Sequence, residues 1–457
     1  MSPAPRTSFG ASESTRLHTP PLLTGRIAEL LAGKKIAMTG VTGFIGEQML
    51  WKFLTECPDT TTAVLVRRKG SLSATQRVAS LLKKKKIFKD LVAEAGSVEE
   101  LMADRIDVIE GDLPDAPKLP RDIDVMVHCA GDVSFDPPID AAFKTNVLGV
   151  KALLKRFRES CSDENGNLVR VPHYVHISTA YTAGRRRGPI PEAAHPHEVD
   201  YEAETRAALA MTDLVEARSR TSEQLTALRK EAEKLHRRAG YLTTSEDTER
   251  RRLEWVKKEL VAAGTERARS LGWTDVYTFA KAMGEVVVAD LCHDMQVSIV
   301  RPAIVEASLK YPYPGWIEGF KMADPIILAY GRGQLPEFPA SPDAVIDIIP
   351  CDYVVNTIVA VCATQPKVGQ PEFYHCSSGA RNPLTFRGIY EHIRSYFSRH
   401  PYRDGQGSHQ LATWNFPGPE PVERKLWFAE KGVAIGNCLL GFAPRGKRTR
   451  AAARALD

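Results

Sequence analysis

Apolar residues in this chain come in short runs, separated by stretches with helical spacing. Ile27 to Leu31 has helical spacing and stops at Gly33, and Lys35-Ile36-Ala37-Met38-Thr39 predicts a buried strand. A glycine turn follows. A helix over Glu47 to Leu54 comes next, with Met49, Leu50, Phe53 and Leu54 at helical spacing, and then a second strand over Ala63-Val64-Leu65-Val66. Strand, turn, helix and strand in that order make a βαβ unit with parallel strands. The rhythm continues with strands over Ile106–Ile109, Val125–His128, Tyr174–Ile177 and Val297–Val300, and with a helix over Ala142 to Phe157. A helix through Tyr277 precedes the last of these strands. The alternation predicts an α/β fold, a Rossmann-type doubly wound parallel sheet.

One stretch breaks the alternation. Residues 195–272 are strongly charged and helical, with Leu225, Leu228, Ala232 and Leu235 at three- and four-residue steps. A turn around Ala239-Gly240 separates them from Leu253, Val256 and Leu260, so two antiparallel helices are expected as an insertion. It is read as either a decoration or a lid beside the site. Beyond Pro302 the pattern loosens into the aromatic loop Tyr311-Pro312-Tyr313-Pro314-Gly315-Trp316, an apolar segment from Met322 to Tyr330, strands over Ile346–Pro350 and Glu372–His375, and a helix between them. The expected organisation is an N-terminal segment without structure over 1–25, rich in Ser, Thr and Pro; a nucleotide-binding domain over 26–310; a substrate-binding region over 311–380; and a partly ordered C-terminal region over 381–457.

Composition narrows the class without choosing within it. At 457 residues, 43% apolar and 26% charged, the chain has ample core for two or three domains. A net charge of +5 does not imply nucleic acid. The basic clusters Lys83–Lys86, Arg185–Arg187 and Arg445–Arg454 read first as solvated faces, with an anionic ligand or a peripheral membrane contact as the minority reading. Eight cysteines without Cys-x-x-Cys spacing suit free thiols in a reducing cytoplasm, and no His/Cys cluster has zinc-like spacing. No leader peptide is recognised, and no run approaches the roughly 20 apolar residues of a spanning helix.

The turn Thr39-Gly40-Val41-Thr42-Gly43-Phe44-Ile45-Gly46 lies between a strand and a helix. There Gly40 allows the turn, Gly43 lets backbone N–H groups approach a pyrophosphate, and Gly46 lets helix and strand pack closely. The second strand ends at Arg67-Arg68-Lys69, where an NAD site usually carries an acid. A guanidinium there pairs with a 2′-phosphate, so NADPH is expected, with Arg67 first and Arg68 second. Asp112, at the end of the third strand, is placed to accept from the adenine amino group.

Tyr277 and Lys281 stand four apart on one helix face. A phenol titrates near about 10 in water, and Lys281⁺ beside Tyr277 is expected to lower that value. Thr179, at the end of the fifth strand, can donate to the same oxygen, and Asn146 is placed to fix a water or backbone kink linked to Lys281. The set is that of a carbonyl reductase.

The glycine turn, Thr179, Tyr277 and Lys281 resemble the extended short-chain dehydrogenase/reductases. Gly272-Trp273-Thr274-Asp275-Val276-Tyr277-Thr278-Phe279-Ala280-Lys281, Ile299–Ala307, Pro314–Gly319 and Asp347–Asn356 narrow the resemblance to the fatty acyl-CoA reductases, over about residues 30 to 430. It implies a cofactor set completed by Leu113, Ala130, Pro302 and Ile304. It also implies a long-chain acyl-CoA substrate, hydride transfer from NADPH to the thioester carbonyl, loss of thiolate, and a second reduction from aldehyde to alcohol. Tyr311–Trp316 and Met322–Tyr330 are then candidates for the acyl channel, and Arg185–Arg187 for the coenzyme A phosphates. Two departures stand out: Asp275 where the family usually has Asn, and Cys129-Ala130-Gly131 for Ser-Ala-Ala. A nucleotide-sugar epimerase or dehydratase and a non-catalytic NADPH sensor are the alternatives. The oligomeric state is left open.

Overall fold

A computed structural model describes residues 26–416, apart from 135, 236–240, 321–322, 336, 339, 405–406, 409–410 and 412. The segment 1–25, the turn at Ala239-Gly240, Met322 and the tail Arg445–Arg454 lie outside the described residues.

Six parallel strands carry the expected series: β1 Lys35–Thr39, β2 Thr61–Val66, β3 Ile106–Glu110, β4 Val125–His128, β5 His173–Ile177 and β6 Gln296–Pro302. Their order is β6-β5-β4-β1-β2-β3, with the strand Glu372–Cys376 added beside β6. The two halves diverge at β1 and β4, which leaves a crevice at the C-terminal ends of those strands. β1, β2, β4, β5 and β6 are buried almost throughout, because helices cover both faces. On one face pack the helices Phe44–Glu56 and Cys351–Cys362, and on the other the run Ile139–Ser160 and the helix Val276–Leu291.

The strand Glu372–Cys376, expected in a small domain beside the sheet, is instead its seventh strand, in parallel register with Ser298–Pro302 of β6. The helix Cys351–Cys362 likewise buries Val354, Val355 and Ile358 in the main core. The first compact unit therefore comprises Met1–Glu318 with Ile349–Cys376. The second comprises Gly319–Ile348 and the chain from Ser377. Its small core is aromatic: Tyr330 meets Trp414 at 5.4 Å and Phe338 stacks on Trp414 at 4.8 Å. The expected strand over Ile346–Pro350 is broken at Asp347, whose carboxylate accepts from the N–H groups of Ser378 and Gly379.

The insertion holds three helices rather than two: Tyr201–Ser219, Ser222–Leu235 and Tyr241–Ser270. The first escapes a hydrophobic reading because it buries Tyr201, Glu204, Thr205, Ala208, Val215 and Ser219, a face of mostly small or polar residues. Asp200 caps it by accepting from Glu202 and Ala203. Three α-helices and a short 3-10 helix between β2 and β3, the first of them Ala74–Lys84 with a Ser73/Gln76 capping box, were also not expected. No described helix is long and apolar enough to cross a membrane.

Candidate active site

The glycine turn closes as tightly as backbone allows. Gly40 has φ +79°, and a Cβ on it would stand 2.8 Å from the Ala130 nitrogen. A Cβ on Gly46 would stand 2.1 Å from the Gly40 carbonyl oxygen. The helix Phe44–Glu56 starts from Gly43, which offers no side chain to cap it, and Thr42 and Gly43 are exposed. Uncapped N–H groups at an open helix start suit a pyrophosphate, so these residues fit a dinucleotide. The Thr39 hydroxyl is spent inside the protein: it accepts from the N–H groups of Cys129 and Ala130 at 3.1 and 3.0 Å and ties β1 to β4. Phe44 stacks on Trp316 at 5.2 Å, and Ile45 is half-buried beside it.

Arg67 and Arg68 sit exposed past the end of β2. Arg67 lies 3.8 Å from Asp112, and Arg68 3.1 Å from Glu110. Asp112 accepts from the N–H of Leu113, whose side chain is buried. A third arginine, not singled out by sequence, joins them: Arg77 donates to the Arg67 carbonyl at 2.5 Å and reaches the Thr42 hydroxyl at 3.5 Å. Its position in the helix after Arg67-Arg68 was the available signal.

Asp275 sets the register of the helix Val276–Leu291. Its carboxylate accepts from Thr278 N–H at 2.8 Å, so the helix starts at Val276 and Tyr277 lies in its first turn. The Tyr277 phenol hydrogen-bonds the Thr179 side chain, which also reaches the carbonyl of Pro302 at 3.4 Å. Ile304 follows, half-buried, one residue after the Ala303 that separates it from Pro302. Lys281 donates to the Ile177 carbonyl at 2.5 Å. The expectation of a lowered phenol is reversed. Burial pushes Tyr277 up to about 12, against the Thr179 hydrogen bond, and pushes Lys281 down to about 8. Desolvation is the largest influence on both groups.

Asn146 is buried at a π-turn, Lys144–Leu148, that interrupts the helical run Ile139–Ser160. Both ends of its amide serve the neighbouring loop: Oδ1 accepts from Asp132 N–H and Nδ2 donates to the Asp132 carbonyl, each at 2.9 Å. Its own carbonyl packs on Gly284 of the helix Val276–Leu291, where a Cβ would come to 2.6 Å.

Beneath these groups lies an ion pair that sequence reading did not assign. Arg301, wholly buried on β6, donates to both carboxylate oxygens of Glu285 and to the Ala193 carbonyl. Glu285 also accepts from the hydroxyls of Ser178 and Thr182. Tyr277, Lys281 and Glu285 recur every four residues on one helix, which was the signal for it. The indole of Trp273 donates to the Thr182 carbonyl at 3.0 Å, a second tie between the Thr179 segment and the start of the helix that carries Tyr277.

Two segments expected to bind substrate also make contacts within the protein. In the loop Tyr311–Trp316, Trp316 is buried against Phe44, and Asp352 accepts from the N–H groups of Leu309, Lys310 and Tyr311. It packs on the helix Phe44–Glu56. Lys85 pairs with Glu47 and Glu318, and Lys86 lies over the Tyr313 ring, so part of that basic cluster serves the same packing. Arg185–Arg187 are exposed, and Arg186 donates to the Pro196 carbonyl.

The family described as Male sterility protein matches residues 38–358. Probable fatty acyl-CoA reductase 5 of Arabidopsis thaliana is 30% identical over 83% of this chain and 73% of its own length. The alcohol-forming fatty acyl-CoA reductase of Simmondsia chinensis is 29% identical over 83% and 73%. For the chloroplastic fatty acyl-CoA reductase 2 of Arabidopsis thaliana the identity is 30%, over 83% of this chain but only 60% of the relative. Among solved structures, the terminal R domain from the myxalamid PKS-NRPS pathway shares 19% identity over 82% of this chain and 71% of its own, with a TM-score of 0.48. With the glycine turn, the Thr179–Tyr277 contact and Lys281 in place on a doubly wound sheet, this chain belongs to the Male sterility protein family, among the fatty acyl-CoA reductases.

Proposed function

We propose that the protein is an NADPH-dependent oxidoreductase that reduces a long-chain acyl-CoA to the aldehyde and then the alcohol, releasing coenzyme A. The observation that carries this reading is the hydrogen bond between Tyr277 and Thr179 at the C-terminal ends of β5 and β6. Two hydroxyls that meet in this way can both turn to one substrate oxygen as it gains charge. The reading of the substrate rests on the family.

The glycine turn holds the pyrophosphate, and Arg67, Arg68 and Arg77 supply the positive charge that favours a 2′-phosphate over a bare ribose. The reduced nicotinamide, when bound, supplies the hydride. Tyr277, with its proton held tightly to about 12, is a donor throughout the neutral range. Lys281, at about 8, is still largely charged at pH 7 and stabilises the phenolate left after the proton has moved. In the first reduction the carbonyl oxygen collects charge, the carbon–sulfur bond breaks and thiolate leaves. In the second the oxygen keeps its proton and the product is an alcohol. Both steps use the same two hydroxyls, so one site serves twice.

Purified protein with palmitoyl-CoA and NADPH tests this. Loss of the reduced-nicotinamide absorbance with release of free thiol is expected, and Tyr277→Phe should remove most turnover while leaving NADPH affinity nearly intact. Nucleotide binding with neither signal would reject it.

A further inference from the structure

Three buried side chains behind Lys281 have no task in the chemistry above. His128 ends β4, His176 stands opposite it in register on β5, and Tyr174 lies two residues earlier on the same face. All three are buried, with ring centroids 5.6 Å apart for the histidine pair and 6.2 and 6.3 Å from each histidine to Tyr174.

The hydrogen bonds fix one tautomer. The Thr39 hydroxyl already accepts two backbone N–H groups, so its own proton goes to Nδ1 of His128 at 2.9 Å. His128 therefore carries its proton on Nε2. That atom, both ring nitrogens of His176 and the phenol oxygen of Tyr174 have no hydrogen-bond partner within the protein. Buried polar atoms are rarely left so. Four of them in one cluster of neighbouring rings, with donors and acceptors both present, call for bridging water.

Lys281 borders the same place. Its ammonium has three N–H groups, of which one goes to the carbonyl of Ile177, the residue after His176. Its charge, added to burial, holds both imidazoles well below the usual histidine range, so both are neutral at working pH. A neutral imidazole accepts a proton on one nitrogen and releases one from the other. Asn146 is not available for this work, since its amide is spent on Asp132.

We infer that His176, with His128 and Tyr174, holds buried water against Lys281, and that this water returns to Lys281 the proton the site spends on each carbonyl. The inference rests on the reductase reading. Each carbonyl reduced takes up one hydride and one proton. Tyr277 gives its proton to the oxygen; in the first reduction that proton passes to the departing thiolate as the carbon–sulfur bond breaks and the C=O bond re-forms, and in the second it stays on the alcohol. Lys281 restores the phenol, and water held by His176 restores Lys281, the proton coming finally from solvent. His176 is a relay and positioning residue and does not touch the substrate.

The test compares His176→Phe, which keeps the ring and loses both nitrogens, with His176→Gln, which keeps a donor and an acceptor. For His176→Phe, kcat should fall roughly tenfold or more, the KM for NADPH should stay within about twofold of wild type, and the solvent deuterium isotope effect on kcat should rise. His176→Gln should recover part of the loss. Wild-type kcat and isotope effect in a folded His176→Phe protein would overturn the inference. If His176→Phe does not fold, Tyr174→Phe decides by the same readouts. Nitrogen NMR of the labelled protein needs no substrate and separates this inference from the reductase reading. His128 protonated at Nε2 supports the cluster, and His128 protonated at Nδ1 refutes it even if turnover is normal.

Discussion

Arg301 and Glu285 meet twice, at 3.0 and 2.7 Å, with the guanidinium wholly buried and stacked on Phe373 at 4.4 Å. The pair joins β6 to the helix Val276–Leu291, and through Ser178 it also holds the residue before Thr179. Removing one partner strands a charge in the interior. Arg301→Leu is expected to destabilise the fold by about 3–5 kcal/mol, read as a lower urea midpoint. Replacing both residues with apolar ones should cost less than Arg301→Leu alone. A single variant that unfolds like wild type would show the pair to be idle.

Turnover should lose its support as pH rises through about 8, where Lys281 gives up its charge. Tyr277, at about 12, is not the group that titrates there. A plot of kcat against pH from 6 to 10 should be level on the acid side and fall above about 8. A fall delayed to the ordinary lysine range near about 10.4 would contradict it. The sign for stability is opposite. The folded pKa is below the unfolded one, so charged Lys281 costs folding below about 8, and the cost fades as pH climbs toward the unfolded value.

Cofactor preference should sit on arginine. Arg77→Ala is expected to raise the KM for NADPH by roughly tenfold to a hundredfold, the equivalent of losing about 1.5–3 kcal/mol of hydrogen bonding to a charged group. The KM for NADH should barely move. Steady-state kinetics with both nucleotides checks this, and equal losses for the two would remove Arg77 from the 2′-phosphate site.

Gly46→Ala places a methyl group within 2.1 Å of the Gly40 carbonyl oxygen unless the turn shifts. Nucleotide binding should be lost, measured by quenching or enhancement of nicotinamide fluorescence on titration. Normal affinity would mean that the turn has slack the packing does not suggest.

Much of the fold is written in local pattern. Each of the six strands from β1 to β6 is an apolar run bounded by turn residues, and each lies within a residue or two of where its run predicts it. The meeting of Thr179 with Tyr277 follows from strand ends and helix spacing. What pattern cannot carry is partnership at a distance. Glu372-Phe373-Tyr374-His375 reads as a strand anywhere, and only tertiary pairing tells that it joins β6. Arg301 and Glu285 are an ordinary charged pair in one dimension. The helix Tyr201–Ser219 has no apolar stripe to announce it. The phenol's shift departs from expectation for a related reason: the spacing shows only that Lys281 shares its helix face, whereas the desolvation that raises the phenol depends on what the rest of the chain buries.

The seventh strand has a consequence for how the polypeptide is assembled. A nucleotide domain cut at residue 310 would lack both Cys351–Cys362 and Glu372–Cys376. β6 would then present a bare hydrogen-bonding margin, and one face of the sheet would lose its cover, which is an invitation to aggregate. On the ribosome the same margin stays open until residue 376 has left the exit tunnel. The second unit begins before that point, at Gly319, so its opening segment is synthesised while the first is still incomplete.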